Sequence, residues 1–167
     1  AIDPFKGGPR FEAHAVVFTN TQLASEHSIA GSPLIFSTPG EYETREIVLT
    51  GIPVPEGTPF FIEWEDMRLL HLDGVEKKES LDRILEIADT VDILMISVQK
   101  PSEAYKIATQ IDPRIIIPMQ GSDEKKSSLE SFAKEFGEKA EELDKLTIKK
   151  KGLPVEGHRL VLLSSPR

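Results

Sequence analysis

The 167-residue chain contains no cysteine. That excludes a disulfide framework, a thiolate metal site and a thiol nucleophile. No apolar run approaches the roughly 20 residues needed to span a bilayer, and the N-terminus has no basic segment followed by an apolar one. The reading is a soluble, cytoplasmic protein with no membrane partner. Positive charge is also in deficit, with a formal net charge of -8. A surface that tracks phosphates needs clustered Lys and Arg to release counterions, so nucleic acid is not expected as a partner. The one basic run, Lys149 to Lys151, reads as a solvated strand end beside Gly152 and Pro154. Internal repeats, low-complexity tracts and a phosphate-cradling glycine loop are absent too; the Gly7–Gly8 pair precedes Pro9 and does not open a helix.

What is present is an ordinary globular balance, 39% hydrophobic and 29% charged residues, enough to build one domain over 1–167. The first half reads as strands: short apolar or alternating runs at 14–19, 33–37, 46–52, 59–65 and 68–73, bounded by Gly, Pro and Ser. Only a tight connection fits between Glu65 and Arg68, so the last two form a hairpin in a largely antiparallel layer. The second half alternates helix and strand. Leu81, Ile84, Leu85 and Ala88 place an apolar stripe on a helix starting near Ser80. Ala104, Ile107, Ala108 and Ile111 do the same for a second helix, and Leu129, Phe132, Ala133 and Phe136 for a third. The runs at 91–98 and 114–119 are apolar almost throughout, as strands buried on both faces are. "KLTIKK" (145–150) and "RLVLLS" (159–164) read as closing strands. Strands first and βαβ units later predict an α/β protein whose sheets are covered by helices.

In such proteins sites gather at loops leaving the C-terminal ends of strands, here after Thr19, Leu72 and Met119. The order of "IDPF", "VVFT" with its polar loop, "PGEYE", "TGIP", "LLHLDG", "VDILMISV", "QIDPRIIIPMQ" and "LTIKKKGLP" resembles the metallo-β-lactamase superfamily over nearly the whole chain. Within it, the chain is most similar to small single-domain members related to ascorbate-phosphate lactonase. The resemblance implies an αβ/βα sandwich, and a β-hairpin before Ala1 that this sequence lacks.

Active members of that superfamily carry Thr-His-x-His-x-Asp-His after the first strand, an Asp closing a His-Leu-Gly-Asp turn, and a His after Ile-Pro-Met. Thr19 is kept, but Asn20, Gln22, Ala24 and Ser25 stand where the three His and the Asp would be. The later turn runs His71, Leu72, Asp73, Gly74, which puts Gly74 on the ligand position, and the last position is Gln120. A hydrolytic zinc needs about three strong donors and an open position for a water whose pKa it lowers to about 7. Amides, a hydroxyl and missing side chains do not supply them. The expectation is a catalytically inactive, cofactor-free protein that binds a protein partner, a further copy of itself, or a small molecule in the former cleft. The alternative is a zinc-dependent hydrolase of the lactone or phosphoester type, with a shifted site built from Glu26, His27 and Asp73.

Other candidates have simpler readings. His71 is expected as a packed, hydrogen-bonded strand residue, and His14 and His158 as surface residues flanking strands. Glu41 and Glu43 are expected in a structural turn, and Asp3 as the turn residue before Pro4. Ser25, Ser28 and Ser32 lie near His27, but spacing alone does not make a Ser-His dyad. Val98, Gln99 and Lys100, where active relatives carry glycines, narrow any pocket there. Trp64, on what is read as an edge hairpin, is a candidate interface anchor.

Overall fold

A computed structural model describes residues 1–4, 10–21, 29–120, 127–137 and 140–164. Its main feature is a sheet of eight strands, ordered β3-β4-β5-β6-β7-β8-β10-β9. Strands β3 (Gly40–Thr44), β4 (Ile47–Gly51), β5 (Phe60–Trp64) and β6 (Met67–Leu72) form an antiparallel meander. From β6 onward β7 (Ile93–Ser97), β8 (Ile115–Met119), β10 (Arg159–Leu163) and β9 (Glu141–Leu143) are parallel. A second, two-stranded sheet pairs β1 (Ala15–Val17) with β2 (Leu34–Phe36), and those two are parallel to each other. Helices α1 (Lys78–Ile87), α2 (Pro101–Ile111) and α3 (Ser127–Phe136) complete the described elements. The class is α/β, as expected.

The period-two arrangement of the strands divides the core. Leu70, Leu94, Ile96 and Ile116 face one way and pack with Leu81 and Ile84 of α1, Ile107 of α2 and Phe132 of α3. All three described helices therefore cover the same face of the large sheet. On the other face Phe60 and Ile62 meet Val17 of the small sheet, with Ile2 and Phe36 beside them. Farther along that face Ile93, Ile115 and Val161 are covered by Leu146, Ile148 and Leu153. Strands β7 and β8 are thus buried on both sides, which is why they read as unbroken apolar runs.

Local chemistry sets the boundaries. At the β5–β6 turn Glu65 (φ 48°) and Asp66 (φ 62°) both have positive φ, the type I′ geometry that matches strand twist. Pro101 opens α2, and Asp112 closes it in the left-handed region at φ 51°.

Four expectations need correction. Residues 145–149 are not a strand; their alternation packs Leu146 and Ile148 onto the sheet from outside any ladder, followed by a 3-10 turn at Lys150–Gly152. "PGEYE" is not simply a turn, because Gly40–Thr44 is the edge strand β3. The β5–β6 hairpin is not at an edge, since β4 and β7 flank it. The runs at 14–19 and 33–37 form the small parallel pair and are not part of the antiparallel layer.

Candidate functional site

The register brings three chain segments to one end of the large sheet. Leu72 lies beside Ile96 and Ile96 beside Pro118, so Asp73 and Gln120 leave neighbouring positions at the C-terminal ends of β6 and β8. The Val98 amide donates to the Met119 carbonyl (3.1 Å) and extends that edge. Asp73 and Gln120 are half-buried; Gly74 is exposed at φ 68°, with nothing within 4 Å of where a Cβ would stand.

The third segment comes from the small sheet, and Asp3 ties it in. One Asp3 oxygen, Oδ1, accepts from the Thr19 backbone N–H (2.8 Å). The other, Oδ2, accepts from the Thr19 hydroxyl (2.8 Å) and from His71 Nε2 (2.8 Å). Thr19 and His71 are buried, 4% and 3% exposed. Thr19 is the residue before Asn20, and His71 stands near the end of β6, two residues before Asp73. Asp3 thus holds together the bases of two loops that carry candidate positions. On the far side of Thr19 its carbonyl accepts from the Thr58 N–H (2.9 Å). Gly57 approaches that carbonyl so closely that a Cβ would stand 2.9 Å from it.

Burial pushes the Asp3 carboxyl up, but the hydrogen bond and charge of His71, together with the two Thr19 bonds, outweigh it and hold the group below the usual carboxylate range. His71 is packed and hydrogen-bonded as expected, and its Nδ1 is buried without a hydrogen-bond partner among the described residues. Asp3, expected only as a turn residue, has the positive φ of one (40°) and a second role as this three-way acceptor. Sequence could flag His71 as a polar residue inside an apolar strand. Nothing in the sequence connected it to an aspartate 68 positions away.

Gln22, Ala24, Ser25, Glu26, His27 and Ser28 lie outside the described residues. Those that are described do not fit a hydrolytic zinc: Asp73 offers one carboxylate, Asn20 and Gln120 offer amides, and Gly74 offers no side chain. Among the described residues no three His, Cys, Asp or Glu side chains group as metal ligands. Beside Gly74, the hollow between the end of β6 and the start of α2 measures about 20 Å³, room for about one water. Lys100, Glu76 and Glu103 all line it, with Lys100 2.5 Å from Glu76 and 3.8 Å from Glu103; Val98 is fully buried in the core.

The remaining candidates scatter. Glu41 and Glu43 are exposed on β3, Ser32 is exposed, and exposed His14 bonds Thr44 Oγ1 through Nε2 (2.8 Å). His158 is not a plain surface residue; it is half-buried, its ring 5.0 Å from that of Phe136. Nor is the basic run merely solvated, because Lys150 donates to the buried Asp92 carboxylate (2.7 Å). The signal for that pair was Asp92 itself, a charge heading an apolar run. No described helix is long and apolar enough to cross a membrane.

Comparison with known proteins adds the following. The family described as "Beta-lactamase superfamily domain" matches residues 1–120. A candidate Zn-dependent hydrolase of the metallo-β-lactamase superfamily from Thermotoga maritima superposes with a TM-score of 0.78 at 21% identity, over 97% of this chain and 87% of that one. A variant of the CmlA β-hydroxylase gives a TM-score of 0.56 at 7% identity, over 90% of this chain but 38% of its own. YhfI of Bacillus subtilis, a metallo-β-lactamase fold protein, gives 0.50 at 8% identity, over 93% of this chain and 63% of its own. Among curated protein sequences none matches. At these identities the structural likenesses establish the fold.

Proposed function

The chain belongs to the metallo-β-lactamase superfamily, and from that premise we propose that it is a catalytically inactive, metal-free member that works by binding a partner. The observation that carries this reading is the donor set at the strand ends. Where the resemblance places a carboxylate and an imidazole, this chain has Gly74 and Gln120, and among the described candidate positions Asp73 alone is anionic. A water without a Lewis acid keeps a pKa near its bulk value of roughly 16 and is no nucleophile at neutral pH.

The partner is a protein, a further copy of this chain, or a small molecule in the former cleft. The hollow beside Gly74, about 20 Å³ and lined by neither Asp73 nor Gln120, is itself too small for a drug-sized ligand, which occupies roughly 300–1,000 Å³. The narrower kinship with ascorbate-phosphate lactonase rests on sequence motifs alone and gives no substrate to this chain. The test is elemental analysis of protein purified without chelator, with a calorimetric zinc titration. The expected result is no stoichiometric transition metal and no saturable zinc heat. One or two tightly bound ions per chain, accompanied by hydrolysis of a lactone or phosphoester that Asp73→Ala or His27→Ala abolishes, is the result that overturns the proposal in favour of a site using Glu26, His27 and Asp73.

A further inference from the structure

At the opposite pole, where the parallel strands begin, two hollows adjoin. One measures about 690 Å³ and is walled by the residues entering β7 and β8 and by the 150–157 segment. The other, about 560 Å³, lies under the β5–β6 turn. Thr90 and Lys150 line both, so the two form one elongated depression.

Its charge is unbalanced. Seven carboxylates line the pair against three cations. All three cations are engaged within the chain: Arg68 with Glu63 (3.5 Å) and Asp89 (3.4 Å), Lys150 with Asp92 (2.7 Å), and Arg114 with the Pro154 and Val155 carbonyls. Glu46, Glu65, Asp66 and Asp112 have no ion partner among the described residues. Apolar side chains stand open beside them, Trp64 at 46% and Val155 at 88% exposed. An indole in solvent next to uncompensated carboxylates combines the aromatic anchor and the charged rim of a protein interface.

We propose that this depression is a docking surface for an elongated basic segment of another protein, one that alternates Lys or Arg with apolar side chains. The cations meet the surplus carboxylates, and an apolar side chain covers Trp64. Charge complementarity sets the sign of the partner, and the succession of two hollows sets its elongated form. The surface is remote from Asp73, Gly74 and Gln120, so it stands independently of what those residues do.

Trp64 is the only tryptophan in the chain, so its fluorescence reports on this surface. The probe is a short peptide alternating Lys with Leu, titrated into the full chain and into Glu65→Asn/Asp66→Gly. That double substitution removes two carboxylates while providing the Asn-Gly pair the positive-φ turn prefers. The expected result is a saturable Trp64 shift that weakens about tenfold in the double variant, and that is lost at ~1 M salt, where the Debye length is ~3 Å. The same peptide with Glu in place of Lys gives no shift. The absence of a saturable change, undiminished affinity in the double variant, or equal response to the Glu peptide would each overturn the proposal.

Discussion

Asp3 concentrates more of the site's geometry than any other described residue. Its carboxylate takes one bond from His71 and two from Thr19, and both partners are buried, so removing the charge leaves donors with nowhere else to go. Asp3→Asn retains the shape but weakens these charge-assisted bonds, at a cost of about 1–3 kcal/mol. Urea denaturation at neutral pH checks this as a lowered midpoint with unchanged slope. The pH dependence has a definite sign. The folded carboxyl titrates below its ordinary value of 3.8, so the unfolded state takes up protons first as the pH falls. The stability contributed by Asp3 is therefore full above about pH 5 and is lost on going down through pH 4 and below. In Asp3→Asn that part of the acid sensitivity disappears, and stability curves of the two proteins converge at low pH. At this scale sequence revealed the type of environment but not the partner. A histidine inside "LLHL" has to be satisfied; which acceptor satisfies it depends on a chain reversal that residue spacing does not encode.

Elements were legible where their chemistry was local. The β5–β6 turn is fixed by its own two residues, and it carries a testable inefficiency: Glu65 and Asp66 both sit at positive φ, where side chains other than Gly and Asn are strained by about 1 kcal/mol. Glu65→Asn/Asp66→Gly is expected to stabilise the fold by up to about 1 kcal/mol, read as a higher urea midpoint at unchanged slope. Elements were misread where tertiary contacts decide. "KLTIKK" alternates like a strand, yet Leu146 and Ile148 are held by packing onto β7, β8 and β10 and not by ladder bonds. What anchors the end of that segment is Lys150 on Asp92, whose carboxylate also accepts from the Arg68 N–H (2.9 Å). Lys150→Ala leaves a buried carboxylate with the amide as its remaining partner, for a loss of about 1–3 kcal/mol. Hydrogen exchange at 150–157 should accelerate. Pairing it with Asp92→Asn should recover part of the loss, a coupling that a double-mutant cycle measures.

For the whole molecule, the decisive property is that apolar burial and the Asp3 hydrogen bonds hold the bases of the strand-end loops in place. Two core faces meet the large sheet, and the helix-side face alone buries Leu70, Leu94, Ile116 and Phe132 to within 1% of full enclosure. The fold class and this layering were readable because periodicity marks which strands are covered on both sides; the sharing of one face by all three described helices was not, since handedness and strand order are set by the assembled sheet. A protein that relied on zinc for its loop geometry would gain RT ln(1 + [Zn]/Kd) on adding the ion, about 2.7 kcal/mol at a hundredfold excess over Kd. In a chain of this size that amounts to roughly 5–10 °C in Tm. On the proposed reading, the thermal midpoint is the same with chelator, without it, and with added zinc. A zinc-dependent rise of several degrees would place tight metal binding back in the molecule and remove the ground for treating its strand-end loops as a non-catalytic surface.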